Sequence, residues 1–193
     1  MTSEDLGNDD PVIVATREWV ERAVIGLGLC PFAHAPHRDG RIRFVHTRVT
    51  TQSALADVLA DELERLSQSS RDEIETTLIV HPGVLGDFLD YNDFLDVADA
   101  VVAELGLEGE IQVASFHPQY QFAGTAADDI SNYSNRSPYP TLHLLREESI
   151  DRAVVAFPDA GEIFERNIET LEKLGHQGWD QLGLEAGSSA GKK

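Results

Sequence analysis

Three runs of apolar, strand-like residues end on histidine: "RFVHT", "LIVHP" and "ASFHP" carry His46, His81 and His117, three of the seven histidines in the chain. Two of these histidines precede proline, which forces the chain out of regular structure at Pro82 and Pro118. In an open parallel sheet, ligands bind outside the carboxyl ends of the strands, so the three rings are expected at one edge. Neutral imidazole suits a divalent transition metal such as zinc, iron, nickel or copper, and His81 with His117 is the candidate ligand pair. Imidazole also serves as acid, base or hydrogen-bond donor near neutral pH. The competing reading is that each ring bonds loop backbone and turns the chain. That reading is stronger for His46, whose strand alternates and reads as an edge.

The stretch "FHPQYQFAGTAADDISNYSNRSPYPTLHLLRE" (116–147) holds the densest polar chemistry. Roughly two dozen of its residues show no period, a length that inside a compact domain marks either function or disorder. Disordered linkers lack aromatics, yet Phe116, Tyr120, Phe122, Tyr133 and Tyr139 stand here and can anchor the loop. The polar members then face a crevice. His117 is the candidate general acid or base, Asp129 its orienter or itself a base, and His143 a further catalytic imidazole. Arg136, with Arg146, would clamp a carboxylate or phosphate through the guanidinium fork. Asp128, Asn135, Tyr120 and Cys30 complete the candidate ligand-binding set. Each has a structural alternative: Asp and Asn make turns, Arg136 could staple the loop to Asp128 or Asp129, and Cys30 could be apolar filler. A thiolate at Cys30 beside His34 or His117 would be the reactive case.

The elements that must position these residues follow from hydropathy period. Helices are expected over 11–29, 53–66 (capped by Ser53), 87–106, 147–157 and 159–175, the last two separated by Pro158. Strands are expected over 41–47, 75–81 and 110–116, and "TLHLLR" (141–146) reads as a fourth strand or a helix start. Alternating strands and helices give an α/β fold, with α+β the alternative if the fourth strand runs antiparallel. The expected sheet has three or four strands, mostly parallel or mixed, covered by helices. A long irregular loop follows the third strand. Residues 1–10 and 183–193 read as disordered tails around one globular domain over 11–182.

Composition narrows the partners. Fifteen Lys and Arg against 34 Asp and Glu give a formal net charge of −19. Such a surface repels phosphate backbones and anionic membranes, so neither nucleic acid nor a membrane is expected as a partner. The single cysteine allows no internal disulfide. The acidic start "MTSEDLGNDD" does not read as a secretory signal, and no run approaches the roughly 18 apolar residues of a membrane span. A cytoplasmic protein is expected. No phosphate-binding glycine loop or nucleophile elbow is present.

Taken together, "LCPFA", "ETTLIVHP", "DFLDY", "ASFHPQYQFAG", "NRSPYPTLHLLREESIDRAV" and "ERNIETLEKLG" resemble a family of small bacterial proteins catalogued as domain of unknown function 1415. The resemblance runs from about residue 12 to about 175, and "RSPYPTLHLLRE" is its most specific piece. It implies a bacterial, cytoplasmic, single-domain protein and supplies no activity, cofactor or catalytic residue. Three functions stay open: an enzyme acting on a small anionic metabolite, by hydrolysis or group transfer and with or without a metal; a non-catalytic ligand-binding or regulatory module; and an acidic protein-interaction protein.

Overall fold

The computed structural model describes residues 10–156 and 162–184. Four strands form one sheet in the order β1-β2-β4-β3, with β1 at Ile42–His46, β2 at Thr76–Val80, β3 at Ile111–Phe116 and β4 at Thr141–Arg146. β1 pairs parallel with β2, and β4 runs antiparallel to both β2 and β3. The fold is α/β with a mixed sheet. The ambiguous "TLHLLR" is a strand, inserted between the second and third. Three strands therefore run the same way, and β4 returns between two of them. His46, His81 and His117 emerge at one rim of the sheet, and there Thr141 pairs with both Val80 and Phe116.

One face is covered by α3 (Gln52–Gln68) and α4 (Phe88–Glu104). Leu55, Leu59, Leu63 and Leu66 recur at helical spacing along α3, and Tyr91, Phe94, Ala98 and Val102 along α4; they bury against Ile79, Ile111, Leu142 and Leu144. Each buried aliphatic side chain contributes about 1.5–3 kcal/mol. Thr51, not Ser53, caps α3 by accepting from the amide of Ala54. Asp87 caps α4 by accepting from the amides of Leu89 and Asp90.

The other face is covered by α1 (Pro11–Trp19), a π-helical turn (Val20–Ile25) and α6 (Ile163–Asp180). Trp19, Val20 and Ala23 pack on Leu78, with Ile42, Phe44, Phe116, Trp179 and Leu184 around them. Asp10 caps α1, and Pro11 at its first position lacks an N–H that would have no partner there anyway. α6 passes through Gly175 at φ 64°, a left-handed residue at the predicted helix end. The chain continues for a further turn that carries His176 and Trp179 against the ring of Tyr133. Arg22 Nη1 donates to the Leu182 carbonyl at 3.1 Å and Asn167 Nδ2 to the Leu29 carbonyl at 3.0 Å, tying the two helical segments together.

Two short helices were not expected from period: α2 (His34–Arg38) and a 3-10 helix over Ile130–Asn135. α5 spans Glu147–Ala156. The predicted Pro158 break lies outside the described residues, as do the expected tails apart from residues 10, 183 and 184. Among the described residues, no helix is long and apolar enough to cross a membrane.

Candidate functional site

The proline-punctuated segment lies across the rim. The His81 amide donates to the Pro140 carbonyl at 3.0 Å, the His117 amide to the Asn135 carbonyl at 3.2 Å, and Asn135 Nδ2 to the Ser115 carbonyl at 3.2 Å. Tyr91 Oη sits between the ends of β3 and β4. It accepts from the Phe116 amide at 3.2 Å and donates to the Thr141 carbonyl at 2.7 Å. Backbone polar groups that a proline-rich segment cannot pair in a ladder are satisfied this way.

His81 and His117 flank the ring of Tyr91, with centroids 5.8 and 5.0 Å from it. His81 Nδ1 donates to the Val84 carbonyl at 3.1 Å, and burial pushes its pKa down to about 4. Its Nε2 is sealed from solvent and has no partner among the described residues. His117 Nε2 donates to the Leu85 carbonyl at 3.1 Å while Nδ1 accepts from the Gln119 amide at 3.0 Å. Burial also lowers its pKa, against the opposing pull of the Leu85 carbonyl and Asp87. The two rings thus hold consecutive carbonyls of the loop between β2 and α4. Leu85 adopts φ 59° there, a left-handed conformation unusual for leucine. Ligating a metal through His117 would require releasing Leu85 or Gln119. Among the described residues, no three His, Cys, Asp or Glu side chains form a metal-holding group.

The expected crevice does not gather its other members. His143 neighbours Leu142 and Leu144, which face α3 and α4, so strand alternation turns its ring to the opposite face. There it lies 5.8 Å from the Phe116 ring; Nε2 donates to Thr76 Oγ1 at 2.7 Å, and burial pushes its pKa down to about 4. Arg146 ends β4, which runs away from the rim for five residues, roughly 17 Å. Its guanidinium closes the end of α3, donating to the carbonyls of Leu66, Ser69 and Ile74 at 2.7–3.2 Å, and burial lowers its pKa. It is a helix cap and does not share an anion clamp with Arg136. His46 pairs with Asp10 at 2.8 Å.

Within the loop, Asp129 caps the 3-10 helix, and the hydrogen bond from the Ser131 amide holds its carboxyl below the usual range. It does not orient His117, both of whose nitrogens are engaged elsewhere. Asp128 is exposed. Asn132, fully buried, accepts from the Phe122 amide and Thr125 and donates to the Ala126 carbonyl. Tyr120 packs between Phe88 and Phe122 at 5.2 and 5.0 Å, as an anchor. Arg136 Nε donates to the Tyr120 carbonyl and Nη2 to the Ala127 carbonyl, so it staples the loop through backbone and not through Asp128 or Asp129. Burial raises the pKa of the half-buried Cys30 thiol, which disfavours the nucleophilic thiolate.

What the rim segment does build is a cavity of about 210 Å³ on the α1 and α6 side of the sheet. Trp19 and Trp179 line it from the two helices, and Tyr133 from the 3-10 helix. Pro118, Arg136, Ser137 and Pro138 come from the loop, and Leu184 from the chain after α6. Trp19 rests edge-on against Phe116 at 5.0 Å, and Trp179 edge-on against Tyr133 at 5.1 Å. The Arg136 guanidinium lies 4.3 Å over the Tyr133 ring, a cation–π contact that fixes it. Among the described residues, no carboxylate lines the cavity. Arg136 Nη1 and both indole N–H groups have no hydrogen-bond partner among the described residues.

A family model described as "Protein of unknown function (DUF1415)" matches residues 11–181. The chain belongs to this family. No curated protein and no solved structure matches it.

Of the expected site residues, only Arg136 lines the cavity. Trp19 read as part of a helix's apolar stripe, and Trp179 fell beyond the helix end expected at Gly175. The available signal was the pair itself, the only two tryptophans of the chain.

Proposed function

We propose that this chain is a small-ligand-binding protein that takes an anionic molecule into the rim cavity without transforming it. One observation carries the reading. In a chain of net charge −19, the described lining of the cavity holds Arg136 and two tryptophans and no carboxylate. Charge-assisted bonds from a fixed guanidinium are the strong kind, and a concave, largely apolar wall with few polar groups is the usual form of a ligand site.

Catalysis is the weaker reading because no His, Asp or Glu is among the described residues that line the cavity. His117 and His143 occupy opposite faces of the sheet, and Asp129 serves a helix cap. The hydroxyl of Ser137 donates to the Tyr139 carbonyl at 2.6 Å. The charge balance continues to argue against nucleic acid and anionic membranes as partners.

Thermal unfolding of the full chain with a panel of small carboxylates and phosphates tests this. A ligand at about a hundred times its Kd adds about 2.7 kcal/mol, which for a chain of this size is roughly 5–10 °C in Tm. The expected result is a saturable rise with at least one anion, no product formed, and loss of the rise in Arg136→Met. Chemical turnover of the bound molecule, or a rise unaffected by Arg136→Met, overturns the proposal.

A further inference from the structure

The cavity's walls specify the ligand more closely than its charge does. We infer that the bound molecule is a planar aromatic monocarboxylate; the inference rests on the binding reading above and adds the chemical class.

Size comes first. An apolar cavity of about 150 Å³ accommodates benzene. The 210 Å³ here gives room for one six-membered ring and a carboxylate. Shape comes second. Trp19, Tyr133 and Trp179 offer ring surfaces, while Pro118 and Pro138 are rigid and supply no amide donor. Aromatic walls favour a ring that stacks or meets them edge-on over an aliphatic one of equal area.

Charge comes third. Nη1 is the one guanidinium nitrogen left without a described partner, since Nε and Nη2 are held by the Tyr120 and Ala127 carbonyls. One open guanidinium nitrogen matches a single carboxylate. A second negative charge would meet no further cation among the described lining residues and would stand in the field of a chain at −19.

Isothermal titration of the full chain with benzoate, cyclohexanecarboxylate, inorganic phosphate and benzamidine tests the class, with tryptophan fluorescence as a second readout. Benzoate is expected to bind one per chain and to change the emission of the cavity tryptophans. Cyclohexanecarboxylate is expected to bind roughly three- to tenfold more weakly, and phosphate and benzamidine not detectably. Arg136→Met should weaken benzoate at least about tenfold. Because Arg136 also staples the loop, Leu184→Trp is the companion variant: it fills the cavity from a side that holds no loop hydrogen bond, and should abolish benzoate binding at unchanged Tm. Equal binding of benzoate and cyclohexanecarboxylate, or tighter binding of phosphate, overturns the aromatic class and leaves the anion-binding reading standing. Preference for benzamidine, or no binding of any probe to protein with an unchanged Tm, overturns both.

Discussion

Lowering the pH from 7 to 5 should destabilise this protein through one buried and one half-buried imidazole, and substituting one of them should remove its share. His81 and His143 both have pKa values pushed down to about 4 by burial. In the unfolded chain each returns to about 6.5. The unfolded chain therefore binds more protons between pH 6.5 and 4. Stability is fully present above 6.5 and falls as the pH drops through that window. With these values each imidazole removes about 2 kcal/mol by pH 5, and about 3.4 kcal/mol once the pH lies below 4. The physical reason at His81 is specific: Nδ1 already donates to the Val84 carbonyl, and a second proton would place a donor at the sealed, unpartnered Nε2. Urea unfolding at pH 7.5 and pH 5.0, on wild type and His81→Phe, measures the effect. Phenylalanine keeps a ring against Tyr91 but cannot titrate, so the variant starts less stable and loses about 2 kcal/mol less on acidification. Comparing the two proteins cancels the carboxylates they share. Identical pH dependence in wild type and variant would refute the assignment of His81 as a buried neutral ring.

Further outcomes are expected. Arg146→Met removes the donors that close the end of α3 and leaves the Leu66, Ser69 and Ile74 carbonyls without them, which should cost about 3 kcal/mol by urea unfolding at pH 7.5. Tyr91→Phe takes out the hydroxyl between the Phe116 amide and the Thr141 carbonyl; a loss of about 1–3 kcal/mol with faster hydrogen exchange at the Phe116 amide is expected. Asn132→Ala unties the Phe122 amide and the Ala126 carbonyl inside the loop, so limited proteolysis should cut within 117–135 several-fold faster. Burial raises the Cys30 pKa, so at pH 7.5 its thiol should react with a disulfide reagent more slowly than free cysteine does, the rates converging in urea.

Much of the scaffold was legible in the chain. The leucines of α3 and the Tyr91–Val102 series of α4 repeat at helical spacing, and "TTLIV" is β-branched or apolar throughout because β2 is central and buried on both faces. The rim could also be read: histidine followed by proline ends two strands, and "NRSPYP" cannot form regular structure, so it had to find partners outside a ladder.

Local sequence cannot say which side of a sheet a residue faces once the register is unknown, or which end of a strand lies at the rim. His143 and His117 looked like partners until β4 was seen to turn one of them through the sheet. Arg146 looked like a clamp until the antiparallel run of the same strand carried it to the far edge. Trp19 and Trp179 are 160 positions apart, and nothing local in either neighbourhood names the other. Hydropathy period fixes what each segment becomes, because it depends on neighbours a few residues away. The direction of β4, and the packing of α1 and α6 over one face, are decided by contacts between distant segments, and those contacts enclose the cavity.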